Sequence, residues 1–275
     1  MSQSKEAIRI LRRAGEQTDE SIDLAETALA LGSIDNPLID LNPYREHIAA
    51  LIEQVRAESP TQKLDDRLRI LRRVLVVQHK YRGDEDQYDD LRNTNLIHVI
   101  DRRRGMPVVL GIIYLHVAEK LGWTMNGLNF PGHFLVRLSA TDGRVILDPF
   151  RAGQTCSPST LRDMLQTHSG ENAELLPEYY TSVSKRDVLL RLQNSVKRRQ
   201  LEQDRLDQAI STLQGMILIA PRKHELWREM GYLQAERGNL RSAITALEVV
   251  CDLSGEPAQL QQTETMLRQL RWQLN

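Results

Sequence analysis

Cysteine is scarce in this chain: Cys156 and Cys251 are the two among 275 residues, and they stand far apart. Two distant cysteines argue against a disulfide framework, which uses several cysteines, and they lack the short spacing of zinc ligands. The histidines form no paired metal-ligand pattern, and no glycine-rich phosphate loop is present. We therefore expect a protein of a reducing compartment with no metal and no cofactor.

The charges nearly cancel, since 36 lysines and arginines stand against 37 acidic residues. A general attraction to nucleic acid or to an anionic membrane is not expected at this balance. The most apolar stretch, PVVLGIIYL, is far shorter than the ~20 residues of a membrane span, and the N-terminal segment has no signal-peptide core. The sequence thus predicts a cytoplasmic protein that binds neither nucleic acid nor membrane.

Helical spacing of apolar residues dominates the first third of the chain. It predicts a helix from Thr18 to Gly32, behind a Thr18/Asp19 cap, and further helices over residues 43–55 and 64–77. The segment that follows, YRGDEDQYDDLRNTNL, has no calcium-loop spacing, and we expect a solvated acidic loop with a short helix after it. The arginine triplet 102–104 could contact an anion, but a solvated or salt-bridged surface is the favoured interpretation.

The middle of the chain changes from helical to strand periodicity. Gly105 and Pro107 break the preceding helix and introduce an apolar one that ends at Gly122. Period-two alternation follows in MNGLNF, HFLVRLS and RVILD, and Asp142-Gly143 between the last two is a strong hairpin signal. These patterns predict an antiparallel sheet packed on a long buried helix.

A repeat appears in the last third, which is helical after a Ser157-Pro158 helix start. Leu206, Ala209, Ile210 and Leu213 recur 34 residues later as Leu240, Ala243, Ile244 and Leu247, and Trp227, Met230 and Gly231 fit the tetratricopeptide pattern. Two such units rarely bury a continuous core alone. We expect residues 261–274 to cap one end of the stack and the first domain to brace the other.

These elements define an α+β protein with two domains. Single cores rarely grow beyond about 250 residues, so a chain of this length should have two of them. We expect a helical region with a helix-plus-antiparallel-sheet core over residues 1–170, and an all-α tetratricopeptide module over residues 187–275.

His133 is the first candidate for chemistry. A lone histidine beside a strand is more often structural than catalytic. However, Asp148 ends the next strand across the hairpin, where its carboxylate could fix the imidazole as in a Cys-His-Asp device. The nucleophile of such a device should lie at the N-terminus of the apolar helix, where the helix dipole lowers a thiol's pKa. Residues 105–108 are Gly, Met, Pro and Val, and none can attack a carbonyl.

The motif order adds a resemblance. The core of the transglutaminase-like superfamily has a similar order of motifs: the apolar helix, then GHFLVRL, then ILDPF. The chain also resembles the bacterial SirB-type proteins, in the segments YDDLRNTNLIHVIDRRRGMPVVLGIIYLHVAEKLG, PGHFLVR and ILDPFRAG. Those proteins join a transglutaminase-like domain to C-terminal tetratricopeptide repeats. The resemblance runs from about Thr18 to the end and implies site positions at His133 and Asp148. It departs from the enzymes at Pro107, where they have cysteine, and SirB-type proteins commonly share that departure.

The main functional hypothesis is a non-catalytic interaction or regulatory protein. The alternative is a thiol hydrolase or acyltransferase in which Cys156, near the helix start at Ser157, serves His133 and Asp148. A third hypothesis is that His133 and Asp148 bind a small polar molecule without covalent chemistry. A buried, inert Cys156 is favoured over a reactive one.

A partner groove is expected on the tetratricopeptide module. By analogy with such repeats, the groove-facing positions are Arg191, Asn194, Arg198, Arg228 and Tyr232. A groove of this composition suits a protein or peptide partner with an acidic segment or a C-terminal carboxylate. An equally good interpretation leaves these arginines as solvated helix surface.

Overall fold

The computed structural model describes residues 3–34, 36, 38–58, 63–253 and 257–274. The helices are α1 Gln3–Glu16, α2 Leu24–Gly32, α3 Asn42–Ala57, α4 Leu64–Leu71, α5 Leu96–Arg102, α6 Pro107–Lys120, α7 Pro158–Ser169, α8 Lys185–Glu202, α9 Leu206–Ile219, α10 His224–Glu236, α11 Leu240–Leu253 and α12 Pro257–Leu274. The strands are β1 Arg82–Gly83, β2 Arg104–Gly105, β3 Thr124–Gly127, β4 Val136–Ala140, β5 Gly143–Asp148 and β6 Gln154–Thr155. No helix in these ranges is long and apolar enough to cross a membrane.

The N-terminal helices follow the predicted periodicity with one correction. The expected helix from Thr18 is wrong at its start: Asp19–Ser21 form a separate 3-10 turn, and α2 begins at Leu24. Asp23 explains the break, because its carboxylate accepts a hydrogen bond from the Glu26 backbone N–H at 3.0 Å and caps α2 there. Helix α3 is confirmed, and α4 continues into a π-helical stretch over Arg72–Gln78.

The predicted helix-and-sheet core is confirmed. Helix α6 is buried along almost its whole length and ends before Gly122, whose φ of 70° suits glycine. The antiparallel sheet has the order β3-β4-β5-β6, with Val136 opposite Leu147 across the β4–β5 hairpin. Strand β6 and the short parallel β1–β2 pair were not predicted, because two-residue strands leave no periodic pattern.

The tetratricopeptide helices α8 to α12 are also confirmed. At one end α12 packs on α11, where Leu267 and Leu270 join the cluster of Ala243 and Leu247. At the other end α1 lies against α9 so closely that a Cβ on Gly15 would be 2.2 Å from the Leu218 carbonyl oxygen. Both ends of the stack are thus covered, as expected, although the sequence did not identify α1 as part of the cover.

One large core of buried apolar side chains crosses the boundary expected between the two domains. A continuous cluster of buried apolar side chains runs from Leu11 in α1 through Val109 in α6 to Met216 in α9 and Met230 in α10. Polar contacts cross the same region: Arg186 of α8 donates to the Asp19 carboxylate at 2.8 Å and to the Gln17 carbonyl at 2.7 Å. Helix α8 packs on α6, and smaller buried clusters lie beside this one, so the expectation of two cores stays a prediction. The domain boundaries at 170 and 187 stay predictions.

Candidate functional site

His133 and Asp148 form a hydrogen-bonded pair. The β4–β5 hairpin brings them together, since His133 lies shortly before β4 and Asp148 ends β5. The distance from His133 Nε2 to Asp148 Oδ1 is 2.8 Å, which confirms the predicted proximity. The Phe150 backbone N–H donates to the same Oδ1 at 2.9 Å. The Asp148 side chain is 1% exposed, so water does not screen the pair on that side.

Arg191 of α8 fixes the segment that carries this histidine. Its Nη2 donates to the carbonyl oxygens of Phe130 at 2.9 Å and His133 at 2.7 Å. Its guanidinium carbon lies 5.4 Å from the centroid of the Phe134 ring, within cation–π range. Burial lowers the pKa of Arg191. Helix α8 therefore holds the backbone beside His133 in place.

The start of α6 faces the same space as the dyad. Pro107 is the first helical residue and Met106 its N-cap, and both border the cavity that His133 borders. Neither side chain can act as a nucleophile. The structure thus puts a proline and a thioether where a thiol would have to stand.

The cavity has a volume of about 730 Å³ and lies between the dyad, the start of α6 and the face of α8. Cationic or titratable groups on its wall include Arg198, Lys223 and His168, besides His133. Within the described ranges Asp187 is the one carboxylate on the wall, and it lies 3.8 Å from Lys223 Nζ. The wall as a whole is polar and biased toward positive charge.

Three of the five predicted groove residues border this cavity. They are Arg191, Asn194 and Arg198, all on α8. Arg191 is already committed to backbone carbonyls, whereas Arg198 is 63% exposed with Nε 3.7 Å from the Glu202 carboxylate. Arg228 and Tyr232 of α10 do not border it. Peptide contact by any of the five stays a prediction.

Cys156 does not border the cavity. It packs beside a small apolar cluster that includes Leu161 and Leu165, and its backbone N–H donates to the Ile146 carbonyl at 2.9 Å. Burial, with a further contribution from the Asp148 charge, raises the pKa of the Cys156 thiol to about 12. A thiol with that pKa is almost entirely protonated near neutral pH and is a poor nucleophile.

The acidic segment before α5 is not simply solvated, which corrects the expectation for Asp84. Asp84 is 6% exposed and accepts a hydrogen bond from Arg102 at 2.8 Å, because a buried carboxylate requires a partner.

Arg199 of α8 is 1% exposed, donates to Asp89 at 2.9 Å and lies 5.6 Å from the Tyr88 ring centroid. Tyr88 borders the cavity. No local sequence signal marks Arg199 or Tyr88, since their partners are distant in the chain.

A metal centre has no support in the structure. Within the part of the chain that is described, no group of three or more histidine, cysteine, aspartate or glutamate side chains could hold an ion.

Comparisons with known proteins agree with this architecture. A family model described as the transglutaminase-like superfamily matches residues 42–194, and a tetratricopeptide repeat model matches residues 196–268. A UPF0162 protein of Xylella fastidiosa (strain Temecula1) is 30% identical over 234 residues, covering 84% of this chain and 83% of that protein. One from Vibrio cholerae is 30% identical over 217 residues, covering 78% and 80%. A crystal structure of menin has a TM-score of 0.43 and 11% identity over 90% of this chain and 69% of menin, values too low to establish a shared function.

Proposed function

The chain belongs to the transglutaminase-like superfamily, and we propose that it is a non-catalytic member, a cytoplasmic interaction protein that binds a segment of a protein partner. The observation that carries the proposal is the cavity of about 730 Å³. One wall of it includes His133, which is paired with Asp148, and another is the face of α8, where the two family models meet.

The start of α6 supplies no nucleophile for covalent catalysis in this cavity. A proline begins α6 at position 107, and removal of the nucleophile from a catalytic unit typically costs several orders of magnitude in rate. The alternative thiol enzyme would need Cys156, which lies outside the cavity and has its pKa raised to about 12. Both facts favour binding over chemistry.

The wall of the cavity supports a peptide as the bound group. Tetratricopeptide repeats are protein-binding modules, and here α8 supplies the exposed polar side chains of Asn194 and Arg198 to the cavity. Cavities of roughly 300–1,000 Å³ are typical of sites that enclose a ligand. The positive bias of the wall favours an acidic segment or a C-terminal carboxylate.

His133 has a binding role in this proposal. A carboxylate as buried as Asp148 is costly unless it is paired, so the pair keeps the imidazole in one orientation. With Nε2 engaged by Asp148, Nδ1 is the ring atom that can exchange a hydrogen bond with a bound segment. The His133–Asp148 pair, which resembles the catalytic pair of the enzymes in this superfamily, would thus help to bind a partner segment.

The test is a peptide selection with two matched arginine variants. Random peptides with free C-termini are selected on the wild-type protein, and their affinities are measured by fluorescence anisotropy. Arg198→Glu reverses a charge on the cavity wall, and we expect it to weaken binding at least about tenfold, about 1.4 kcal/mol. High salt should weaken binding by the wild type and reduce the difference between the two proteins, because it screens attraction and repulsion alike.

Arg228→Glu is the control, because it makes the same charge change on α10 outside the cavity. It should change the affinity less than about twofold. A larger loss from Arg228→Glu than from Arg198→Glu would contradict the cavity as the binding site. Selected peptides without acidic groups would contradict the proposed partner chemistry.

A further inference from the structure

A second cavity of about 430 Å³ lies beside the β1–β2 pair and shares no lining residue with the first. Its cationic wall consists of Arg82, Arg104 and Arg151, which we call the arginine pocket. The Phe150 ring forms another wall. The sequence pointed to this region only through the triplet 102–104.

Of the arginines in that triplet, Arg104 alone has a side chain without a partner among the described residues. Arg102 is paired with Asp84 at 2.8 Å, and Arg103 donates to the Tyr81 hydroxyl at 2.6 Å. Arg104, by contrast, forms no side-chain hydrogen bond or salt bridge to any residue that the structure describes. A solvated or salt-bridged surface therefore accounts for two members of the triplet and not for Arg104, which is half-buried.

The strand register puts a second uncommitted arginine directly beside it. Arg82 of β1 is the parallel-strand partner of Arg104 in β2. Like charges in facing positions on neighbouring strands destabilise a sheet. Arg82 is exposed and also has no salt bridge within the described residues, so no ion pair offsets the repulsion expected between the two arginines.

A third positive charge and two negative ones complete the pocket. Arg151 is 53% exposed, and its Nε is 3.9 Å from the Asp148 carboxylate, at the limit of an ion pair. Glu85 and Asp86 border the same cavity but form no ion pair with these arginines. The wall thus has a formal surplus of one positive charge, and Arg82 and Arg104, which face each other in the strand register, have no ion pair that a ligand would have to displace.

We propose that the arginine pocket binds a phosphate group, either the free ion or an organic phosphate monoester. A doubly charged tetrahedral oxyanion accepts several guanidinium N–H groups at once, and arginine forks are suited to such bidentate contacts. The bound anion would also remove the repulsion between Arg82 and Arg104. This site is independent of the peptide binding proposed above.

The experiment measures thermal unfolding and calorimetric binding with inorganic phosphate and with phenyl phosphate, at ionic strength held constant with NaCl. In the wild type, phosphate should raise the Tm more than NaCl does. The Arg82→Gln/Arg104→Gln variant should have a higher Tm than the wild type in phosphate-free buffer, because the repulsion is gone. It should also lose at least tenfold in phosphate affinity.

Two further variants sharpen the result. Glu85→Gln/Asp86→Asn removes the opposing charges and should tighten phosphate binding, whereas Arg162→Gln, an exposed change on α7, should alter neither quantity. Tighter binding of phenyl phosphate would identify a monoester as the ligand, and equal or weaker binding the free ion. A wild type without phosphate-specific stabilisation, or an Arg82→Gln/Arg104→Gln variant with undiminished affinity, would overturn the proposal.

Discussion

Alkylation of Cys156 should be unusually slow. Its pKa of about 12, against an ordinary 9.0, lowers the thiolate fraction at pH 8 about a thousandfold. A thiolate of higher pKa is also more nucleophilic, and a Brønsted coefficient of roughly 0.4–0.5 makes its rate constant for alkylation about twentyfold larger. The net expectation is a rate about fifty times below that of a free thiol of ordinary pKa.

The assay is iodoacetamide labelling of a Cys251→Ser variant, followed by mass spectrometry, with N-acetylcysteine as the reference. The rate for Cys156 should rise about tenfold per pH unit from pH 7 to 10 without a plateau, because the thiol stays mostly protonated over that range. The same protein in denaturant should label at an ordinary rate. Labelling faster than the reference at pH 7, abolished by His133→Ala, would refute this reasoning and support a thiol enzyme.

Two further predictions concern stability. Arg191→Met removes both hydrogen bonds to the carbonyls of residues 130 and 133 and should lower the free energy of urea unfolding by about 2–4 kcal/mol. The control Arg198→Met, on the exposed face of α8, should change that free energy by less than about 0.5 kcal/mol. Equal losses would contradict the assigned role of Arg191. Burial, with the charge of Arg103, lowers the pKa of His47 from 6.5 to about 4, and burial lowers that of His116. His47 stays neutral in the folded protein and takes up a proton on unfolding, and the lowered pKa of His116 acts in the same direction, so stability should be highest above pH 6.5 and fall as the pH drops toward 4. A urea midpoint that does not change from pH 7.5 to 5 would contradict this.

Features with a local sequence signal were predictable. The 34-residue recurrence marked the paired repeat helices, and the Asp142-Gly143 turn set the hairpin register that brings His133 to Asp148. The start of α6 at Pro107 was also predictable, because a helix N-terminus can be located from Gly105 and a following proline.

Features that depend on contacts between distant segments were not predictable. Arg191 was expected to face a partner, yet its guanidinium is bound to carbonyls about sixty residues earlier. Arg199 and Asp89 are 110 residues apart in the chain, and no spacing rule connects them. The cavity itself arises because α8 packs beside the start of α6 and the segment that carries His133, and these segments are distant from one another in the chain.

Site-specific photo-crosslinking tests the central claim most directly, namely that a partner segment binds in the cavity beside His133. Tyr88 borders the cavity and Tyr232 lies outside it, and both are partly exposed, at 37% and 46%. Benzoylphenylalanine is incorporated at one position or the other, and each protein is irradiated with a selected peptide. We predict crosslinks to the peptide from position 88 and essentially none from position 232. Crosslinks from position 232 alone would contradict the account.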